Sequence, residues 1–256
     1  MTQKNKLQAV LFDVDGTLAD TEQDGHRIAF NAAFQEFGLT WDWDITLYGE
    51  LLKVTGGKER IRYYMERYTP QDCDKADLND WIATLHWTKT KYFEKLLKQG
   101  NIPLRPGVAR LINELRKEKI RIAIATTTTP KNVAALIKST LGEEAVDWFD
   151  VIGAGDIVPK KKPAPDIYHW VLKQLNLKAQ HCIAIEDSEN GLQSALAADL
   201  PTIITTNSYT QQQSFNGASI VVSDLGEPEH HFSQQAGKKL KKRWVDVETL
   251  MNLVQT

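Results

Sequence analysis

One recurrence constrains this chain more than anything else in it. Short apolar runs, rich in β-branched residues and alanine, each stop abruptly at a polar, chemistry-bearing segment. The first, Ala9-Val10-Leu11-Phe12, halts at Asp13. Arg121-Ile122-Ala123-Ile124-Ala125 runs into Thr126-Thr127-Thr128-Thr129, and Cys182-Ile183-Ala184-Ile185 runs into Glu186-Asp187-Ser188. Val151-Ile152 is followed, after a turn, by Lys160-Lys161-Lys162-Pro163. Thr202-Ile203-Ile204 and Ile220-Val221-Val222 complete the set. Runs this short, without polar alternation, read as strands buried on both faces. Helical periodicity at 108–119, 132–139, 165–175 and 189–198 separates most of them. The alternation predicts an open α/β fold, a Rossmann-like parallel sheet with helices on both faces.

Between the first and second strands the pattern changes. Phe30, Ala33, Phe34 and Phe37 keep helical spacing over 28–37, and 46–54, 58–68 and 78–98 also read as helices. Gly56-Gly57, Thr69-Pro70 and Gly100-Asn101-Ile102-Pro103 punctuate them. This block is far too long for a loop. It predicts an inserted α-helical cap domain at 22–103 on a core domain formed by 1–21 and 104–256, with crossings near Thr21 and Arg105. Trp41, Trp43, Trp81 and Trp87 are expected to build the cap's own core.

Ligands in open α/β sheets sit beyond the carboxyl ends of the strands. There this sequence gathers Asp13 and Asp15, Thr126 and its neighbours, lysines, and Glu186 with Asp187. Carboxylates so crowded repel one another and raise their own pKa values unless a cation lies among them. Mg²⁺ takes oxygen ligands, so Asp13, Asp187 and the main-chain carbonyl of Asp15 suit it. Asp187 and Ser188 taken singly also suit a helix N-cap; the ensemble points to a phosphate with a hard divalent cation. On the cap, Thr55-Gly56-Gly57-Lys58-Glu59-Arg60 reads either as a plain turn into a helix or as a site for a second anion. Lys89 interrupts an apolar stripe, which a lysine reaching solvent would explain. His26 and His86 read as structural, and Lys160 and Lys161 as solvated beside Lys162.

Phe12-Asp13-Val14-Asp15-Gly16-Thr17-Leu18 resembles the first signature of the haloacid-dehalogenase superfamily; Thr126, Lys162 and Glu186-Asp187 resemble its second, third and fourth. Lys162-Pro163-Ala164-Pro165-Asp166 and Asp187-Ser188-Glu189-Asn190-Gly191 are similar to the subgroup holding β-phosphoglucomutase and phosphoglycolate phosphatase. Ala19-Asp20-Thr21-Glu22, Trp41-Asp42-Trp43, Tyr48, and Thr55 to Ile61 resemble the CbbY-type phosphatases, which hydrolyse xylulose 1,5-bisphosphate. The resemblance implies that Asp13 attacks phosphorus and carries an aspartyl-phosphate, and that Asp15 is the acid and base. It implies Thr126, Thr127 and Lys162 as phosphate ligands. Asp13, Asp15, Glu186 and Asp187 become the Mg²⁺ site, with Glu186 ordering water. Glu22, Tyr48, Gly56, Gly57, Lys58 and Arg60 become cap contacts to a phosphorylated sugar substrate. A mutase or phosphoglycolate phosphatase on the same scaffold, and a non-catalytic protein that kept the fold, are the alternatives.

With 31 Lys plus Arg against 33 Asp plus Glu, the formal net charge is −2, which gives no field to hold nucleic acid or anionic lipid. The cationic run Lys238 to Arg243 is expected to lie in solvent. Cys73 and Cys182 have no metal-ligand spacing and read as reduced thiols. Residues 1–6 are polar, unlike a signal peptide, and no apolar run reaches spanning length. The expectation is a monomeric cytoplasmic protein with neither membrane nor nucleic-acid partner.

Overall fold

A computed structural model of the chain describes residues 7–74, 77–100 and 102–254. The polar segment 1–6 and Asn101 of the Gly-Asn-Ile-Pro break lie outside the described residues. The strands are β1 (Ala9–Phe12), β2 (Arg121–Ala125), β3 (Val151–Gly153), β4 (Cys182–Glu186), β5 (Thr202–Thr205), β6 (Ile220–Val222) and β7 (Gln234–Gly237). They form one sheet in the order β3-β2-β1-β4-β5-β6-β7. Every pairing is parallel except that of β7, which runs antiparallel to β6 at the edge. This edge strand departs from the all-parallel expectation: its sequence, Gln-Gln-Ala-Gly, is exposed and carries no apolar signal. Chain order reverses between β1 and β4, so their carboxyl ends flank the crevice where such sheets bind ligands.

Alternate residues of each central strand face opposite layers. Val10 and Phe12, with Ile122, Ile124, Ile183 and Ile185, pack on α5 (Val108–Lys117), α6 (Pro130–Leu141) and α9 (Val247–Val254). Ala9, Leu11, Ala123, Ala125 and Ala184 face α7 (Asp166–Leu175) and α8 (Glu189–Leu196). The small residues on this second face let Tyr168 of α7 lie close against the sheet. Helix α9 carries no expectation from the sequence reading. The run 238–243 is mostly exposed, and Lys242 pairs with Asp246 and Glu248.

Between β1 and α5 lie α1 (Arg27–Glu36), α2 (Ile45–Leu51), α3 (Gly57–Tyr68) and α4 (Leu78–Lys98). A π-helical turn, Glu22–His26, precedes α1, so the helical path begins earlier than the periodicity indicates. These helices bury Phe30, Phe34, Trp41, Trp43, Tyr48 and Met65 around a cluster of their own. Trp81 packs partly against it, but Trp87 is 50% exposed, contrary to the expectation that all four tryptophans build that core. No helix among the described residues is long and apolar enough to cross a membrane.

Candidate functional site

The site begins where β1, β2 and β4 end. Lys162 is almost wholly buried, and its Nζ donates to Asp13 Oδ1 (2.6 Å), Glu186 Oε1 (2.6 Å) and the carbonyl of Ala125 (2.8 Å). One ammonium thus uses its three hydrogens to join β1, β2 and β4. The Lys162–Pro163 peptide bond is cis. Burial opposes the Lys162 charge, but Asp13 and Glu186 hold its pKa well above the usual lysine value. Burial pushes the Asp13 carboxyl up to about 7, against the pull of Lys162. Asp187 is driven well above the carboxylate range by burial, with Asp13 and Glu186 adding repulsion.

Ligand oxygens of Asp13, Glu186 and Asp187 all lie within 4.8 Å of one another. Glu186 Oε2 is buried with no hydrogen-bond partner among the described residues. An orphaned buried carboxylate oxygen inside such a cluster fits a hard divalent cation with oxygen ligands. The backbone keeps this space open: a Cβ at Gly191 would stand 1.9 Å from Glu186 Oε2. At Gly16, φ is +84°, and a Cβ would stand 2.3 Å from Asp187 Oδ2. The Asp15 carboxylate lies outside the cluster. Its Oδ1 is held by the Thr21 hydroxyl (2.6 Å) and His26 Nε2 (2.8 Å).

Behind His26 lies Lys89, with Nζ 2.7 Å from His26 Nδ1. An ammonium only donates, so Nδ1 accepts and Nε2–H faces Asp15. Burial would raise the Asp15 carboxyl, yet His26, Thr21 and Lys89 together hold it well below the ordinary range. This corrects two readings from sequence. Lys89 is 3% exposed and does not reach solvent, and His26 supports the candidate acid and base instead of packing inertly. Neither role is legible from periodicity, because the contact joins residues 63 positions apart.

Burial pushes Lys89 down to about 8, against the pull of Asp15 and Glu22. We expect kcat/KM to fall on the alkaline side near pH 8, as the charge behind His26 is lost. In Lys89→Met that limb should be absent and activity at pH 7 lower on the order of 10²-fold, because His26 and Asp15 lose their alignment. A lysine pKa below its unfolded value makes stability rise, not fall, as the pH climbs from 8 towards 10.5. A melting temperature that does not fall across the limb therefore separates this effect from unfolding; an unshifted limb in Lys89→Met refutes it.

Two adjoining cavities open from this centre. One, of about 310 Å³, is lined by Asp13, Thr126, Lys162, Glu186 and Asp187. The other, of about 290 Å³, is lined by Lys58, His86, Lys89, Lys131 and Lys161 together with Thr128 and Asn132 at the start of α6. Asp15, Glu22, Gly56, Arg60 and Thr127 line both. Gly57 lines the second, where a Cβ would meet His86 Nε2 at 2.3 Å. Tyr48 lines neither. It is fully buried, donating its hydroxyl to Glu22 Oε2 (2.5 Å) and accepting from Arg60 Nη1 (3.0 Å). Lys161 is not simply solvated. It pairs with Glu59 (2.6 Å) and Asp156 (3.0 Å), and Asp156 also pairs with Lys58.

Three residues enter the site without a sequence signal. The Tyr168 hydroxyl donates to Glu186 Oε1 (2.5 Å), and the Asn207 amide donates to Asp187 Oδ2 (2.7 Å). Arg105 is buried and donates to main-chain carbonyls of Gly16, Thr205 (3.0 Å), Thr206 (2.5 Å) and Ser223 (2.6 Å), tying the loop after Asp13 to the sheet.

Residues 7–199 match the family model for haloacid dehalogenase-like hydrolases. The chain belongs to that family. Within it, the chain is 45% identical to the CbbY protein of Cupriavidus necator over 244 residues, covering 95% of each. It is also similar to a solved CbbY variant from Rhodobacter sphaeroides in complex with xylulose 1,5-bisphosphate. There the TM-score is 0.81 and identity 44%, over 87% of this chain and 96% of that one. A β-phosphoglucomutase from Clostridium difficile, at 22% identity and a TM-score of 0.69 over 84% of this chain and 90% of that one, shares the fold. This haloacid dehalogenase-like hydrolase is a phosphatase, with its acidic cluster at the strand crevice that the fold provides.

Proposed function

We propose that the chain hydrolyses xylulose 1,5-bisphosphate to xylulose 5-phosphate and phosphate, with Mg²⁺ and through an aspartyl-phosphate on Asp13. The observation that carries this is the pair of adjoining cavities. One holds the acid cluster and Lys162; the other is lined by Lys58, Arg60, Lys89, Lys131 and Lys161 with Asp156 paired to two of them, and Asp15 and Glu22 lie between the two cavities. A substrate with a phosphate at each end matches that arrangement, with Lys162 meeting one phosphate and the excess of cations in the second cavity meeting the other. The likeness to the CbbY variant solved with this bisphosphate supports the choice of sugar.

Asp13 attacks phosphorus, and the bond from phosphorus to the sugar oxygen breaks. Lys162, already beside Asp13, neutralises phosphoryl oxygens, while Thr126 and Thr127 hold them. Asp15 protonates the departing sugar oxygen. Its carboxyl is held ionised by His26 and Thr21 in the free protein; an incoming phosphoryl dianion beside it raises its pKa, and Asp15 takes up from solvent the proton that it then gives to the sugar oxygen. Water then attacks the aspartyl-phosphate, Asp15 takes its proton, and phosphate leaves with Asp13 restored. Asp13, Glu186, Asp187 and the main-chain carbonyl of Asp15 would hold Mg²⁺. When bound, it offsets negative charge on the transferring group.

Glu22, Gly56, Gly57, Lys58 and Arg60 contact the substrate on this reading, and Tyr48 acts one step back by fixing Glu22 and Arg60. Lys161 joins them as a cation of the second cavity. The helices of 22–103 form a cap domain that closes over the core domain of 1–21 and 104–256, excluding water from the first step. The protein works as a monomer in the cytoplasm, with neither nucleic acid nor membrane as a partner.

Phosphate release from xylulose 1,5-bisphosphate, 2-phosphoglycolate and glucose 1-phosphate tests the assignment. The bisphosphate should give by far the largest kcat/KM. Fast release from the glycolate alone, or conversion of glucose 1-phosphate to its 6-phosphate without free phosphate, would overturn it.

A further inference from the structure

The turn that follows β5 reaches from the acid cluster to the helical layer. Asn207 donates its side-chain amide to Asp187 Oδ2 (2.7 Å) and accepts, at its own Oδ1, the main-chain N–H of Tyr209 (2.9 Å). The Asn207 N–H donates to the Thr210 hydroxyl (2.9 Å), and the N–H groups of Thr210 and Gln211 return to the Asn207 carbonyl. Asn207 is therefore closed into its turn on every side but one, and that side holds a carboxylate of the acid cluster. The fit around it is tight: a Cβ at Gly16 would stand 2.7 Å from Asn207 Nδ2.

Tyr209 carries the turn outward. Its ring meets Tyr48 edge-on, with centroids 6.1 Å apart, and packs against the aromatic cluster of the inserted helices. It lies so close to Gly49 of α2 that a Cβ there would stand 3.0 Å from its Cδ1 and 3.2 Å from its Cε1. Tyr48 in turn holds Glu22 and Arg60. A continuous path of contacts thus runs from the substrate-facing side chains of the helical layer, through Tyr48, Tyr209 and Asn207, to Asp187. The Tyr209 hydroxyl takes no part in it, being buried without a hydrogen-bond partner among the described residues.

We propose that the turn 207–210 couples seating of the helical layer to the orientation of Asp187, with Asn207 and Tyr209 as positioning residues for the cation site. A carboxylate rotated out of line binds a divalent ion poorly, and partners that orient metal ligands are typically worth 10- to 100-fold in metal affinity. When the helical layer sits down, Tyr209 is clamped between Gly49 and its own turn and Asp187 is held ready. When the layer lifts, the ring loses its seat and Asp187 loses its restraint. The inference rests on the reading of Asp13, Glu186 and Asp187 as a cation site, and beyond that is independent of which sugar phosphate is hydrolysed.

The test reads binding of Mn²⁺ to the full-length, substrate-free protein by electron paramagnetic resonance, with Mg²⁺ competition. Asn207→Ala removes the bridge, Tyr209→Ala removes the ring, and Gly49→Ala displaces the ring from the opposite side without touching the acid cluster. Asn207→Ala and Tyr209→Ala should weaken Mn²⁺ binding by about tenfold or more, Gly49→Ala should weaken it in the same direction by less, and Tyr209→Phe, which keeps the ring, should bind like the parent. Gly49→Ala and Tyr209→Ala should also raise the Mg²⁺ concentration needed for half-maximal rate more than they lower kcat at saturating Mg²⁺. Parent-like affinity in both would overturn the coupling, whatever Asn207→Ala does. A parent protein that binds no Mn²⁺ would overturn the cation site itself, a separate failure. A loss in Tyr209→Phe equal to that in Tyr209→Ala would overturn the role given to the ring.

Discussion

Asp13→Asn should lower phosphate release by at least about 10⁴-fold and leave the protein folded. The amide has nearly the carboxylate's shape but cannot form the acyl-phosphate, so the first step is lost. Folding should not suffer. Lys162 keeps Glu186 and the Ala125 carbonyl as partners, and a carboxyl that burial pushes to about 7 is exchanged for a neutral group. A phosphate-release assay beside a thermal melt checks both halves. A rate within tenfold of the parent, with the fold intact, would remove Asp13 as the nucleophile.

Lys162→Met should do harm of a different kind. The thioether fills similar volume, but Asp13 and Glu186 then lie buried without the ammonium that contacts both. Breaking a buried ion pair on one side costs about 3–5 kcal/mol, and the metal-free protein should lose stability on that scale. The pH dependence gives the signature. Lys162 lowers the Asp13 pKa, so removing it drives the folded-state value further above the unfolded one. A carboxyl raised in the folded state penalises folding increasingly as pH climbs from about 4 through the raised value. The parent bears that same penalty up to its own raised value of about 7, so the extra deficit should be small at pH 5 and should open as the pH climbs above 7, reaching its full size at about pH 9, and excess Mg²⁺ should restore part of it. Equal melting deficits at the two pH values would show that lost packing, and not lost charge, is responsible. Phosphate release should fall steeply, because Lys162 is the buried cation in contact with Asp13.

Much of this architecture could be read in advance because it is written in local pattern. Strands buried on both faces must be apolar throughout, so six of the seven announce themselves, and each ends where the residue type changes. β7 announces nothing: it is polar and exposed, and pairing with β6 alone makes it a strand. The four ordered motifs at the strand ends also stand in the sequence, since each is contiguous. The supporting residues do not. Tyr168 looks like any aromatic on the apolar face of α7, and only stacking of that helix on the small side chains of β1, β2 and β4 brings its hydroxyl to Glu186. Arg105 reads as a cation near a chain crossing, yet it is buried against four main-chain carbonyls. Lys89 has the spacing of a side chain that could reach water, and in fact points at His26.

Sequence alone determined the six parallel strands of the sheet, the strand ends that carry Asp13, Thr126, Glu186 and Asp187, and the insertion of a helical layer. Each follows from hydrophobic periodicity and chain order, which act over a few residues at a time. Tertiary structure decided which side chains support the chemistry: His26 and Lys89 behind Asp15, Tyr48 behind Glu22, Asn207 beside Asp187. The reason is physical. Desolvating a charged or polar group is costly, so each such group must be met by a partner when it is buried. Where that partner stands in the chain depends on how distant elements pack, which no local pattern records.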